Sequence, residues 1–174
     1  MDGTRLSGTV SSLMVLSNIL DLLTGRAFSL PPRIQFAALP YRIRKKTVEY
    51  LLVTSRDTGR WIIPKGWPLS GGDVAETVMT EAWEEAGIYG KLHGEPAGEY
   101  SYDKRMENHS VRCRVVFYPV LVTKLAKDFP ERNERQREWL GAVEAANRIQ
   151  EPDLRELFEG GRLDALIKRI EHEE

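Results

Sequence analysis

The sequence predicts an α+β sandwich, a mixed β-sheet held between helical layers, and three observations carry that expectation. Two β-rich runs, Ile34 to Arg44 and Thr47 to Ser55, open the pattern and join at Lys45-Lys46 as a hairpin. One capped helix, Asp73 to Gly87, separates them from a second strand region. Beyond that region the periodicity turns helical to the C-terminus. An order of strands, helix, strands and helices suits a sheet covered on both faces.

Each element has a local reason. Arg56-Asp57-Thr58-Gly59 reads as a turn into a short strand at Trp61 to Ile63. Asp73 followed by Glu76 forms a capping box, and Gly87 supplies the left-handed residue that stops the helix. Tyr89 to Lys104 reads as one extended segment interrupted at Gly94, Pro96 and Gly98. Val111 to Lys124 is a long strand in which Pro119 requires a bulge or an edge position. A short strand at Glu138 to Gly141 precedes helices at Ala142 to Ile149, Pro152 to Glu159 and Leu163 to Glu171.

Residues 1–30 read as an N-terminal extension with one amphipathic helix, and 31–174 as the main domain. The apolar stretch from Leu13 to Leu23 is broken by Ser17, Asn18 and Asp21, too short and polar for a membrane span. The chain's 25 basic and 26 acidic residues nearly cancel, so no nucleic-acid partner is expected. The single Cys113 excludes an internal disulfide and points to a cytoplasmic location. Cys113 itself lies in a strand-like run and is expected to pack. A monomer and a homodimer both remain open.

Chemistry concentrates in the helix. Glu81, Glu84 and Glu85 stand at i, i+3 and i+4 and project from one side, while Ala75, Met79, Ala82, Trp83 and Ala86 gather on the other for the core. Three adjacent carboxylates repel one another unless a cation sits among them, and hard oxygen donors suit Mg²⁺ or Mn²⁺ better than zinc. An ordinary solvated helix face is the alternative. Lys65 precedes the helix and is a candidate phosphate contact. Arg42, Arg112 and Arg114 lie in strands, the last two on one face.

The span Gly66 to Ile88 resembles the Nudix box, G-x5-E-x7-R-E-U-x-E-E-x-G-U, where U is bulky and apolar. Gly66, Glu81, Glu84, Glu85, Gly87 and Ile88 match at the right spacing. The pattern's loop glutamate falls on Gly72 and its arginine on Thr80, so the salt bridge that the resemblance implies is missing as a pair. The resemblance, which runs from about Gln35 to Phe158, implies a Nudix-type α/β/α sandwich with a mixed β-sheet. It also implies Mg²⁺-dependent hydrolysis of a phosphoanhydride in a small molecule. Glu81, Glu84 and Glu85 would be catalytic and, with the Gly66 carbonyl, metal-binding. The general base stays open between Glu81 and a downstream acid such as Glu134.

The segment Arg135 to Leu140, R-Q-R-E-W-L, is similar to the R-E-W-F segment of diphosphoinositol polyphosphate phosphohydrolases, which also cleave diadenosine polyphosphates. That similarity adds Arg114 and Arg137 to Lys65 and Arg42 as candidate substrate ligands. Their glycine-rich turn reads Pro64-Lys65-Gly66-Trp67 here, and Trp67 and Tyr41 are candidates to stack on a base. A Nudix-fold module that binds a nucleotide without hydrolysing it is the competing function. The missing acid and arginine at Gly72 and Thr80 motivate it.

Overall fold

The computed structural model describes residues 33–106 and 109–173; the helix expected within 1–30 lies outside the described residues. Eight strands form one sheet: β1 (Arg33–Arg44), β2 (Thr47–Thr54), β3 (Trp61–Ile62), β4 (Lys65–Gly66), β5 (Ile88–Leu92), β6 (Gly98–Arg105), β7 (Ser110–Leu125) and β8 (Arg137–Leu140). Helix α1 (Val74–Ala86) follows β4, and α2 (Ala142–Arg148), α3 (Pro152–Phe158) and α4 (Arg162–Glu173) follow β8.

The sheet is mixed, as expected. β1 runs parallel to β7 and antiparallel to β2 and β4, while β5 and β6 both lie antiparallel on β7. Alternation assigns the two layers. Ala37, Leu39 and Tyr41 of β1 and Val48, Tyr50 and Leu52 of β2 pack with Ala145, Leu154, Phe158 and Ile167 from α2, α3 and α4. Ala38, Leu51 and Val53 pack instead with Val78, Ala82 and Ala86 of α1. Burial on both faces explains why the middle of β2, Tyr50-Leu51-Leu52-Val53, reads as one apolar run.

Some boundaries differ from expectation. The interruption expected within 89–104 falls at 93–97 and separates β5 from β6, which meet opposite ends of β7. Pro119 is neither at an edge nor in a bulge. Its carbonyl accepts from the His93 amide, and it lies between the Phe117–Gly98 and Val120–Leu92 pairs, so its missing N–H falls in the gap between β6 and β5. The loop before α1 contains β4, two residues paired to Phe36 and Ala37. In α1, Ala75 is exposed and Trp83 half-buried against Tyr89, while Val78 and Thr77 take the core positions.

Candidate active site

Helix α1 delivers its acids where β4 ends. Asp73 caps it, its Oδ1 accepting from the Glu76 amide at 2.7 Å, and Gly87 closes it at φ 64° with its amide on the Trp83 carbonyl. Glu81, Glu84 and Glu85 then line a cleft of about 680 Å³ with Lys65, Gly66 and Trp67. The Glu81 carboxylate lies directly over Gly66: a Cβ there would sit 1.7 Å from Glu81 Oε1. Only glycine leaves that carboxylate and the loop backbone side by side.

The acids differ in environment. Burial, then the charges of Glu85, Glu84 and Glu131, push Glu81 up from 4.5 to about 7. Glu85 is buried, which raises its carboxyl against the pull of Lys65 and Arg135. It accepts from the Lys65 amide at 3.2 Å and is ion-paired with the Arg135 guanidinium. Burial lowers the Lys65 ammonium, opposed by Glu85 and Glu151. Glu84 is exposed and reaches the cleft from the rim.

Arg135, which the sequence reading passed over for Arg137, organises this end of the cleft. Its side chain is 5% exposed, donates to Glu131 at 2.5 Å and to the Thr54 carbonyl at 2.8 Å, and pairs with Glu85. Glu131 in turn donates its amide to the Glu84 carbonyl and receives Arg56 at 3.1 Å. Glu131, Arg56, Arg60, Glu151, Tyr102 and Lys104 all line the cleft and none was singled out beforehand. The R-x-R spacing was the available signal for Arg135. The others become visible only once the strands are paired.

Several expected ligands lie elsewhere. Arg42 pairs with Glu49 at 2.6 Å and covers Trp139 at 4.2 Å. Arg112 and Arg114 do share a face of β7, but that face meets Asp103 and Glu99 of β6 at 3.4 and 3.7 Å. Arg137 donates to the Ala86 and Ala126 carbonyls and lies over Phe129, so it caps the C-terminus of α1 instead of lining the cleft. Glu134 is half-exposed, 3.7 Å from Arg56 and outside the cleft lining, which contains Glu131 instead. Tyr41 is fully buried and bonded to His93 and Glu171, so it offers no stacking face. Lys65, expected beside the loop as a phosphate contact, lines the cleft with its ammonium over the Tyr102 ring.

The pair missing at Gly72 and Thr80 has a local substitute. Thr77 is 1% exposed, accepts the Leu69 amide at 3.2 Å and donates to the Asp73 carbonyl at 3.0 Å, tying loop to helix with neutral bonds. A Cβ at Gly72 would meet Leu69 Cβ and Glu76 Oε2, both at 2.9 Å, so the loop has closed over the position of the absent acid.

The donor set fits a divalent cation by chemistry: carboxylates from one helix turn, burial and mutual repulsion that together lift Glu81, and a glycine that lets the loop backbone lie against the Glu81 carboxylate. Among the described residues no three acid, histidine or cysteine side chains are gathered as a ready-made cage. Arg135 engages two of the cleft acids, Glu85 and Glu131.

Known proteins agree with this architecture. The family model described as NUDIX domain matches residues 31–160. Nudix hydrolase 21, chloroplastic, of Arabidopsis thaliana is 31% identical over 126 residues, covering 70% of this chain and 62% of that protein. Diphosphoinositol polyphosphate phosphohydrolase 3-alpha of Homo sapiens is 29% identical over 116 residues, 66% of this chain and 67% of that one. The chain spans under two thirds of the length of three plant relatives that it matches, at 62%, 64% and 61%. A crystal structure of C. elegans Ap4A hydrolase superposes with a TM-score of 0.60 at 16% identity, covering 79% of this chain and 99% of that one, which establishes the shared fold. The box residues, the mixed sheet between helices and the family match together place this chain in the Nudix family.

Proposed function

We propose that this chain is a Mg²⁺- or Mn²⁺-dependent pyrophosphohydrolase that cleaves a phosphoanhydride bond in a polyphosphorylated small molecule. The observation that carries the reading is the Glu81 carboxylate seated over Gly66, beside Glu84 and Glu85, in a cleft that also holds Lys65, Arg56 and Arg60. Glu81, Glu84, Glu85 and the Gly66 carbonyl would hold a divalent cation, which would supply neutralisation of phosphate charge and a more acidic water. The chain's own groups supply the rest. Lys65, Arg56 and Arg60 meet phosphate oxygens, Trp67 offers an aromatic face at the mouth, and Arg135 holds Glu85 and Glu131 in place. As general base the reading takes Glu81, whose carboxyl is lifted to about 7 by burial and its acidic neighbours.

The names of relatives support two substrate types, diphosphoinositol polyphosphates and the diadenosine tetraphosphate of the Ap4A hydrolase. The single cysteine supports a cytoplasmic location, although relatives are named chloroplastic and mitochondrial. No helix among the described residues is long and apolar enough to cross a membrane.

The test is hydrolysis of a panel of diadenosine polyphosphates, diphosphoinositols, nucleoside diphosphate sugars and nucleoside triphosphates with Mg²⁺ or Mn²⁺. Product is expected with the wild-type chain and none with Glu84→Gln or Glu85→Gln. Silence across the panel with either metal rejects the reading. One observation favours the competing binding module: Glu85 is already engaged by Arg135. Calorimetry separates them, because a sensor would keep its nucleotide affinity without cation and release no product.

A further inference from the structure

Glu151 breaks a local rule in a way that points into the cleft. It occupies the N-cap of α3, where serine, threonine, aspartate or asparagine is preferred, and its side chain makes no capping bond. The side chain lines the same cleft as the three acids, and the residue is only 8% exposed. Oε1 meets Arg60 at 3.2 Å, whereas Oε2 is buried with no hydrogen-bond partner among the described residues. The Tyr100 hydroxyl, which feels the Glu151 charge, is likewise buried and unbonded. Leaving a buried carboxylate oxygen unsatisfied is costly, and a helix cap is forgone as well. Such violations of local preference collect where a ligand supplies the missing partner.

The chemistry of that partner follows from charge. An acceptor-only carboxylate takes an N–H or O–H donor and repels a phosphate dianion. Arg60 is paired with Glu151, Arg56 with Glu131, and Arg135 with Glu85 and Glu131, while Lys65, Lys104 and Arg105 also line the cleft. A substrate that is phosphorylated at every position would meet this acid with nothing to spare for it, whereas a base amino group or a ribose hydroxyl would satisfy it.

We propose that Glu151 is a specificity-determining residue, its carboxylate accepting a hydrogen bond from a neutral donor on the non-reacting part of the substrate. The cleft thereby selects polyphosphates that carry a nucleoside over polyphosphates fully phosphorylated around a ring. The inference rests on the pyrophosphohydrolase reading for its kinetic form, but not for its binding form.

Two measurements test it on the full chain. In the first, kcat and KM are determined with Mg²⁺ for diadenosine tetraphosphate and for a diphosphoinositol polyphosphate, in wild type, Glu151→Gln and Arg60→Leu. Glu151→Gln is expected to raise KM for the dinucleotide about tenfold with kcat little changed, and to lower the ratio of kcat/KM between dinucleotide and inositol substrates. Arg60→Leu, which leaves the acid unneutralised, is expected to hold or raise that ratio. Equal shifts in both variants, or a Glu151→Gln effect that is the same for both substrates, overturn the proposal in favour of a purely structural ion pair. The second measurement is calorimetric titration with AMP, which needs no turnover. Weaker AMP binding in Glu151→Gln supports the assignment even if no substrate is cleaved, in which case the hydrolase reading alone fails. Unchanged AMP affinity overturns it.

Discussion

Glu81 lies among Glu84, Glu85 and Glu131, and burial together with their charge lifts it from 4.5 to about 7. Below pH 4.5 the group is protonated in folded and unfolded chains alike. Above 7 it is ionised in both, and the folded site then bears the repulsion. Cation-free protein therefore loses stability as pH rises through this window. Thermal scans in EDTA should show the melting temperature falling between about pH 5 and 8, by a few degrees at most because the group is partly hydrated. Mg²⁺ should restore it at pH 8, and Glu81→Gln should flatten the profile while abolishing hydrolysis. A flat wild-type profile would remove the argument for crowded charge. Arg135 presents the opposite case. Arg135→Met strands the buried Glu85 and leaves Glu131 to Arg56 alone, and is expected to cost about 3–5 kcal/mol in denaturant unfolding, with Arg135→Lys intermediate because ammonium lacks the fork.

The loop before α1 shows how an element can lose its usual brace and remain ordered. Thr77 holds the Leu69 amide where an ion pair would otherwise act. Thr77→Val should cost about 1 kcal/mol and lower kcat while leaving the circular dichroism of α1 intact. Restoring the family pair as Gly72→Glu with Thr80→Arg should not rescue that variant, since a Cβ at 72 meets Leu69 and Glu76 at 2.9 Å. Rescue in a turnover assay would show that the loop still has room. At this scale most elements were legible in the sequence. Capping residues bounded α1, β-rich runs marked β1, β2 and β7, and the three C-terminal helices appeared within a residue or two of their observed ends. The acids and Gly66 were legible because their spacing is local to one helix and one loop. Arg135, Glu131 and Glu151 were not, because a charged residue in a loop reads the same whether it faces solvent or a cleft. Arg112 and Arg114 misled for a related reason: a face is readable from alternation, but not the Asp103 and Glu99 that the strand beside it brings to that face.

The whole molecule depends on pairings distant in sequence, which periodicity cannot report. β1 lies against β7, roughly eighty residues along the chain by register, with Arg33 beside Cys113 and Tyr41 beside Leu121. That pairing makes β1 and β7 interior strands and leaves two faces to cover. The family match ends at residue 160, yet α4 begins at Arg162 and inserts Leu163 and Ile167 into the core beneath β2. Asp164 accepts from the Tyr50 hydroxyl at 2.8 Å, and Glu171 from that of Tyr41 at 2.5 Å, so α4 also satisfies two buried tyrosines. Packing of Phe158 edge-on against Tyr50 links the same layer to α3, whose first residue follows Glu151. Stability of the helical layer and placement of the cleft acid are therefore coupled. Ile167→Ala, fully buried, is expected to cost about 2–5 kcal/mol in denaturant unfolding. Under conditions where it remains folded, it should weaken AMP binding more than it weakens Mg²⁺ binding, because α1 and its carboxylates pack on the other face of the sheet. Equal weakening of both would mean that the two faces do not act separately, and the assignment of Glu151 to the α3 layer would lose its structural basis.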